Sequence, residues 1–309
     1  MLVYTVKKED GGLLLRTLLR ERLGLSRRAL TDLKAKENGI LLNGKQVTVR
    51  AVLQENDCIV LHTEDTREDV NEAILPLPLP VSVLYEDEDI CLCEKPSGMP
   101  THPSHLHRQD TLANALRYYY RNRPFVFRAI TRLDRETDGI VLLALHKAAA
   151  HTLSRSLQGG EIQKEYLALV HGALEGEGRI EKKIRRAEKS VIFRRVCEEN
   201  EEGDEALTLY QSLGTRGGVS LVRVFPITGR THQIRVHMAS IGHPLLGDGL
   251  YGLRADAFPR TALHAARLSF PHPRTKEPLS FRSPLPDDMR QVAETLGFSQ
   301  EELSAFCKV

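Results

Sequence analysis

A chain of 309 residues, 41% hydrophobic and 27% charged, is long enough to bury two separate cores. Its cysteines, Cys58, Cys91, Cys93, Cys197 and Cys307, are odd in number and scattered, which excludes a disulfide framework and paired CxxC metal knuckles and implies a reducing compartment, here the cytoplasm. The longest uncharged stretch, AILPLPLPVSVLY at 73–85, is too short and too proline-rich to span a bilayer, so no membrane association is expected, and a net charge of +2 leaves any preference for nucleic acid to the local placement of charge.

Residues 13–42 interleave Leu15, Leu18, Leu19 and Leu23 at helical spacing with a run of arginines and lysines, which predicts two short basic helices broken at Gly24, with Ser26 as N-cap of the second. ILLNGKQVTV at 40–49 predicts two strands joined by an Asn43-Gly44 turn. Across 1–62, eleven Lys/Arg oppose seven Asp/Glu, a local excess of four, which fits either a solvated helical face or a phosphate-facing one. The stretch 24–61, through Ser26-Arg27, Asn43-Gly44 and ENDCIVL, resembles the αL RNA-binding domain shared by a small-subunit ribosomal protein and several RNA-modifying enzymes. The resemblance implies that Arg27, Arg28 and Lys45 approach phosphates, contacts that position RNA without reading its sequence.

Residues 63–80 read as a linker, acidic over 64–72 and extended through PLPLP at 76–80, which divides the chain into units at 1–62 and 81–309. Beyond it, ICLCEKP, GIVLLAL, KEYLALV, VSLVRVFPI and LHAARLSF read as strands mixed with helices without βαβ alternation. The expected class is therefore α+β: a largely antiparallel mixed sheet and a central cleft flanked by helices, preceded by a small α+β unit. Terminal helices are predicted at about 287–295 and 299–306.

Three segments carry candidate chemistry. The first, 117–135, holds six arginines and five aromatics against one acid, Asp134; arginines fix phosphates and aromatic rings offer faces to unstacked bases, whereas the plainer alternative is a helix with buried tyrosines and solvated arginines. At its end, ITRLDRETDGIVLLA (130–144) puts Arg132 and Asp134 on the same side of an extended segment, with Gly139 permitting a turn and a buried strand behind. Asp134 is thus placed for chemistry, or is a surface acid in a turn.

In the second, IQKEYLALVHG (162–172), alternation sends Tyr166, Ala168 and Val170 to one face and Leu167 and Leu169 to the other, so Tyr166 either points into a cleft or packs. In the third, ITGRTHQIRVHMASIGHP (227–244), Thr231 is the expected N-cap, Gly242 and Pro244 mark the helix end, and Ile234, Met238 and Ile241 make the buried stripe. Arg235 falls about a quarter-turn away, at the edge of the core, either snorkelling or pairing with a partly buried carboxylate.

RLDRETDG, KEYLALVHG, PITGRTHQIRVHMASIGHPLLGDGLYG and LHAARLSFPHP, in this order and at these distances, resemble the RluA-type family of pseudouridine synthases over about residues 81–285. The resemblance implies isomerisation of uridine within RNA without metal or organic cofactor. It implies Asp134 as nucleophile, Tyr166 against the target uracil as a candidate base, Arg235 as the ion-pair partner of Asp134, and Arg132 as the arginine that displaces the base from its helix. It places Arg230 and His232 among the RNA contacts. Large-subunit (23S) ribosomal RNA is the implied substrate, transfer RNA the alternative, and a monomer the implied state.

Two positions depart from the family spelling. Thr131 stands where His is common and is read as tolerated; Asp138 stands where Ser is common. A second carboxylate near Asp134 would disfavour its ionised form unless arginines compensate, or else it caps a backbone turn, the reading preferred here. Two rival classes are a catalytically idle RNA-binding protein of the same fold and a two-carboxylate hydrolase built on Asp134 and Asp138. His102, His105 and His107 lie in a proline-rich loop without acidic or cysteine partners, and His232 and His237 are five apart, so neither set predicts a metal site.

Overall fold

The computed structural model describes residues 2–25, 27–188, 190, 192–253 and 258–304, with the side chains of Arg28, Glu301 and Ser304 left aside. The expected Ser26 cap therefore lies outside the described residues. Strand β1 (Leu2–Thr5), helix α1 (Leu15–Thr17, running on as a wider π turn over Leu18–Arg22), helix α2 (Arg27–Ala35) and strands β2 (Ile40–Leu42), β3 (Lys45–Gln46) and β4 (Cys58–Leu61) come first. They form a four-stranded sheet of order β1-β4-β2-β3. Leu15, Leu18 and Leu19 bury against Leu30, Leu33 and Ile59, a core separate from the rest of the chain. Asn43 and Gly44 take φ of 52° and 77°, the left-handed pair that a two-residue hairpin needs.

The segment 63–80 is a fastened strap rather than a free linker. Asp65 accepts both nitrogens of the Arg128 fork at 2.6 and 2.8 Å and the Val126 N–H at 3.1 Å. Lys147 donates to Asp69 at 2.7 Å and to Asp32 of α2 at 3.3 Å, so one ammonium joins the strap and the N-terminal unit to the rest. The acidic tract thus has partners in the arginine-rich segment 117–135. Arg128 belongs to Asp65, Arg117 lies 3.7 Å from Glu72, and Arg123 donates to Glu86 at 3.0 Å. Features of both readings of this segment are present: much of its charge is met within the protein and Tyr120 is buried, while Tyr118 and Tyr119 stay exposed.

The large sheet is built from β5 (Ser82–Glu86), β6 (Ile90–Lys95), β7 (Asp138–Ala144), β8 (Gln163–His171) and β9 (Glu177–Glu181). Strands β10 (Ile184–Arg186) and β11 (Arg194–Val196) form a separate hairpin. Strands β12 (Leu207–Arg216), β13 (Val219–Pro226), β14 (Leu263–Pro271) and β15 (Pro278–Arg282) complete the sheet. Its order is β5-β6-β7-β14-β8-β13-β12-β9, with β15 beside β14. Every pair is antiparallel except β7 with β14.

Helices α3 (Leu112–Tyr119), α4 (Lys147–Gln158), α5 (Gln233–Ser240), α6 (Asp287–Thr295) and α7 (Gln300–Ser304) cover the sheet. The predicted alternation in β8 is realised: Tyr166, Ala168 and Val170 pack with α3 and α5, and Leu167 and Leu169 pack behind the sheet with α6. No helix among the described residues is long and apolar enough to cross a membrane.

Candidate active site

The loop between Thr131 and Asp138 is held largely through its backbone groups, which leaves the Arg132 and Asp134 side chains to face a cleft. The Thr131 hydroxyl accepts the Leu142 N–H at 2.9 Å, tying the loop to β7. The Thr101 hydroxyl receives the Leu133 N–H at 3.1 Å and donates to the Leu133 carbonyl at 2.9 Å, and Leu133 plugs the core. Buried Lys95 donates to the carbonyls of Pro96 (2.8 Å), Met99 (2.7 Å) and Arg135 (3.2 Å), and Ser97 donates to Glu136 O at 2.8 Å. With Leu133 inward, Arg132 and Asp134 share the outer side, as alternation requires. The sequence reading missed Lys95, Ser97 and Thr101, whose signal was a lysine closing an apolar strand just before Pro-Ser-Gly.

Behind the loop, Gly139 pairs with Ala265 across the parallel β7–β14 contact and takes φ of 110°. A Cβ there would come within 2.4 Å of the Ala265 carbonyl oxygen, so close strand approach as well as φ demands glycine.

The far wall is α5, and its start differs from expectation. His232, at φ of 58°, occupies the cap position without a side-chain cap bond. Thr231 does not cap the helix; its hydroxyl accepts from Arg132 Nη2 at 2.5 Å. Gln233 satisfies the entry instead, its Oε1 accepting the Arg230 N–H at 3.0 Å and the Thr228 hydroxyl at 2.7 Å. Arg235 is likewise not at the edge of the core. It is 5% exposed, and its Nε and Nη2 fork Asp248 at 2.7 Å each. Its remaining Nη1 lies 3.6 Å from Asp134 Oδ2, which makes Asp248 the principal partner and Asp134 the second.

Asp248 went unassigned in the sequence, although an acid between two glycines in GDGLYG was visible. Its carboxylate also accepts the N–H groups of Leu250 and Tyr251 at 3.0 Å each. Gly247 turns the chain into it at φ of 66°, where a Cβ would meet Arg260 O at 1.9 Å. Burial opposes ionisation of Asp248, but the Arg235 fork and these N–H groups hold its carboxyl below the usual range. The buried pair is thus complete without Asp134, whose side chain is 25% exposed.

Asp134, Tyr166, Arg235, Arg132, Arg230 and His232 line one cavity of about 510 Å³. Burial, then the Asp134 charge, push the Tyr166 phenol well above its ordinary value, so it rests protonated. Burial lowers the His232 imidazole, and its Nδ1 sits 2.9 Å from the Tyr251 hydroxyl. Lys164, missed in the sequence, closes a wall by donating to Thr228 O at 3.2 Å. Arg27 and Lys45 are exposed on the N-terminal unit and do not line this cavity; the Arg28 side chain lies outside the described residues.

Asp138 neither faces Asp134 nor caps a turn. Its carboxylate lies 3.3 Å from both Nη atoms of Arg260 and 3.1 Å from His264 Nδ1, and it lines a different cavity. Elsewhere, Asp87, Asp89 and His272 bring potential ligand atoms within 4.8 Å of one another. Asp89 there already holds Arg274 at 2.8 Å and His146 at 2.7 Å, so its charge is met by protein groups.

The cleft joins a carboxylate open to solvent, a buried cation behind it, an aromatic floor and an exposed arginine, on a chain whose motifs match known proteins. The family model described as RNA pseudouridylate synthase matches residues 89–240. Over 273 residues the chain is 38% identical to RNA pseudouridine synthase YjbO of Bacillus subtilis (strain 168), which takes in 87% of this chain and 95% of that protein. It is 36% identical over 277 residues to ribosomal large subunit pseudouridine synthase D of Vibrio cholerae serotype O1, 84% of each chain. The solved human RNA pseudouridylate synthase domain containing 1 aligns at a TM-score of 0.58 with 29% identity, over 74% of this chain and 96% of that one. The chain belongs to the RNA pseudouridylate synthase family and is an isomerase that acts on RNA.

Proposed function

We propose that the protein converts a uridine of large-subunit ribosomal RNA to pseudouridine in the cytoplasm, with Asp134 as nucleophile. The observation that carries this reading is the arrangement at Arg235: the buried fork is satisfied by Asp248, and the third nitrogen stands 3.6 Å from an acid open to the cleft. A carboxylate so placed faces a cation without being locked in a bidentate pair, which leaves an oxygen for attack. The choice of ribosomal RNA rests on the similarity to the Vibrio cholerae ribosomal enzyme.

Uracil stacked in a helix is out of reach, so the target is flipped into the cavity at a cost of a few kcal/mol, offset by contacts to Arg132 at the mouth and the Tyr166 ring within. Isomerisation leaves composition unchanged: the ribose bond to N1 breaks, the uracil turns, C5 bonds to the ribose, C5 loses its proton and N1 gains one. The resting Tyr166 phenol is a poor base. Attack by Asp134 passes its negative charge to the departing uracil, which keeps an anion beside the phenol; formation of the bond from C5 releases the Asp134 carboxylate again, and the C5 proton then leaves with Tyr166 and this carboxylate beside it as candidate acceptors. Residues 1–62 act as an RNA-positioning module through Arg27, Arg28 and Lys45, and 81–309 as the catalytic unit.

The test uses unmodified large-subunit ribosomal RNA tritiated at uracil C5. The wild-type chain releases tritium, and Asp134→Asn lowers release at least about 10³-fold with an unchanged melting temperature. Tritium release by Asp134→Asn at the wild-type rate overturns the nucleophile; release from transfer RNA alone overturns the substrate.

A further inference from the structure

The strap between the two units carries a buried acid that the chemistry above does not use. Its neighbours Glu64, Glu68 and Glu72 are exposed, yet the Asp65 side chain keeps only 2% of its surface open. Its bonds go to one short stretch, the Arg128 fork at 2.6 and 2.8 Å and the Val126 N–H at 3.1 Å. Arg128 Nη1 also reaches the Val126 carbonyl at 3.3 Å, which closes a ring of bonds around the acid.

That stretch leads straight into the nucleophile loop. The Arg128 carbonyl accepts the Ala144 N–H at 3.0 Å, and the Ile130 N–H donates to the Leu142 carbonyl at 2.8 Å. Residues 128–130 thus pair antiparallel with the end of β7, with Ala129 opposite Leu143. Thr131, Arg132 and Asp134 follow at once. Phe127, between the two residues that Asp65 holds, sets its ring edge-on 5.1 Å from that of His102, next to the Thr101 hydroxyl that fixes Leu133. The lead into the loop is therefore gripped by Asp65 at one end and by Thr101 at the other, with β7 between.

Backbone pairing along β7 does not by itself choose a register, and a slip of one residue exchanges the two faces of a strand. Such a slip would turn Leu133 out of the core and carry Arg132 and Asp134 away from the cleft. A forked pair admits one placement of its partners, whereas burying two charges adds little stability over apolar packing. Asp65 thus has the geometry of a register pin. The strap is also held from the N-terminal unit at the very next residue, where Lys36 donates to the Glu64 carbonyl at 3.0 Å.

We propose that Asp65 is a positioning residue for the isomerisation: it pins the register of residues 126–130 on β7, and so sets Asp134 opposite Arg235 and Arg132 at the mouth of the cleft. The N-terminal unit, tied to Glu64, thereby bears on the nucleophile through two adjacent residues. This rests on Asp134 being the nucleophile.

The experiment measures the single-turnover rate of tritium release from the C5-tritiated ribosomal RNA and equilibrium binding of the same RNA, at a temperature where thermal melts show each variant of the whole chain folded. Asp65→Asn keeps the shape of the side chain and loses the charged fork; its maximal rate falls about tenfold while Kd stays within about twofold. Arg128→Lys keeps a cation for Asp65 without the planar fork and slows by about threefold with Kd again unchanged. It also carries the test should the Asn variant fail to fold. Asp69→Asn removes the strap's tie to Lys147 and leaves Asp65 in place, so its rate stays within about twofold of the wild type.

A wild-type rate in the folded Asp65→Asn and Arg128→Lys proteins overturns the pin. So does a rise in Kd at an unchanged rate, which would make Asp65 part of RNA docking. An equal slowing in Asp69→Asn overturns it as well, because the effect would then be a general loosening of the strap. Asp134→Asn, run beside them, separates this proposal from the reading beneath it. If it works at the wild-type rate, the nucleophile falls and the pin with it; if it is inactive while Asp65→Asn is not slowed, the pin alone falls.

Discussion

Asp134 and Asp138 leave one loop four residues apart, and each meets a buried arginine that serves a second acid, yet the two arrangements are built differently. Arg235 gives its fork to Asp248, which has no exposed side-chain surface, and offers Asp134 a single nitrogen at 3.6 Å. Arg260 forks Asp288 at 2.5 and 2.8 Å and also brings two nitrogens to 3.3 Å of Asp138, while His264 approaches the same carboxylate. Asp134 is 25% exposed and Asp138 14%. On the proposed reading the difference separates a reactive acid from a structural one: both cations already fork a second acid, but Asp134 meets one nitrogen and keeps an oxygen toward the cleft, whereas Asp138 meets two nitrogens and an imidazole.

The comparison breaks most severely at the satisfied end of the first arrangement. Asp248→Ala should leave Arg235 buried with only a distant partner and free the Leu250 and Tyr251 N–H groups, costing about 3–5 kcal/mol of unfolding free energy by urea titration. Tritium release should fall with it, because Arg235 is drawn toward Asp134 and ties up the attacking oxygen. Full activity in a protein of wild-type stability would dissolve the distinction between the two acids.

Lys95 lies beneath the loop and feels both carboxylates. Burial pushes its ammonium down to about 8 from the ordinary 10.5, against the raising influence of Asp138, Asp134 and Glu136. Between pH 8 and 10.5 the folded chain has shed this proton and the unfolded chain still holds it, so the unfolded state binds more protons and stability rises with pH. The rise contributes roughly 3 kcal/mol across that window. Urea midpoints of wild type and Lys95→Met should therefore diverge in slope there, and parallel lines would show that Lys95 is not charged against its burial.

Much of this was legible in the sequence, where periodicity speaks. The strands, the Asn43-Gly44 hairpin and the two-faced β8 follow from period-two alternation and turn chemistry, and the helix at Asp287–Thr295 from its apolar spacing. Asp134, Arg132, Tyr166 and Arg235 were singled out and converge on one cleft. What was not legible is pairing across long chain separations. Nothing local says that Arg235 belongs first to Asp248, that Asp138 reaches Arg260, or that acids of the strap take arginines of the 117–135 segment. A stripe argument put Arg235 at the core edge because it counts hydrophobicity, whereas a carboxylate delivered by a distant turn lets a guanidinium go fully inside. Thr231 was read as a cap from residue type alone, and a nearer donor, Arg132, claimed its hydroxyl.

The smallest expected effect tests the second acid directly. Asp138→Ser removes one of the two carboxylates on Arg260 but leaves the Asp288 fork, so the guanidinium is not stranded. The loss should be about 1–2 kcal/mol, well short of what an unpaired buried charge costs. Because Asp138 faces Arg260 and His264 in a cavity separate from the cleft, its charge is largely compensated where it stands. The pH–rate profile for tritium release should then superimpose on that of the wild type. A displaced acid limb would mean that the Asp138 charge reaches Asp134 despite its own partners, and the two acids would have to be treated as one titrating pair. Superposition together with the modest stability loss would assign Asp138 to holding β7 and β14 at the mouth of the cleft, leaving Asp134 alone in the chemistry.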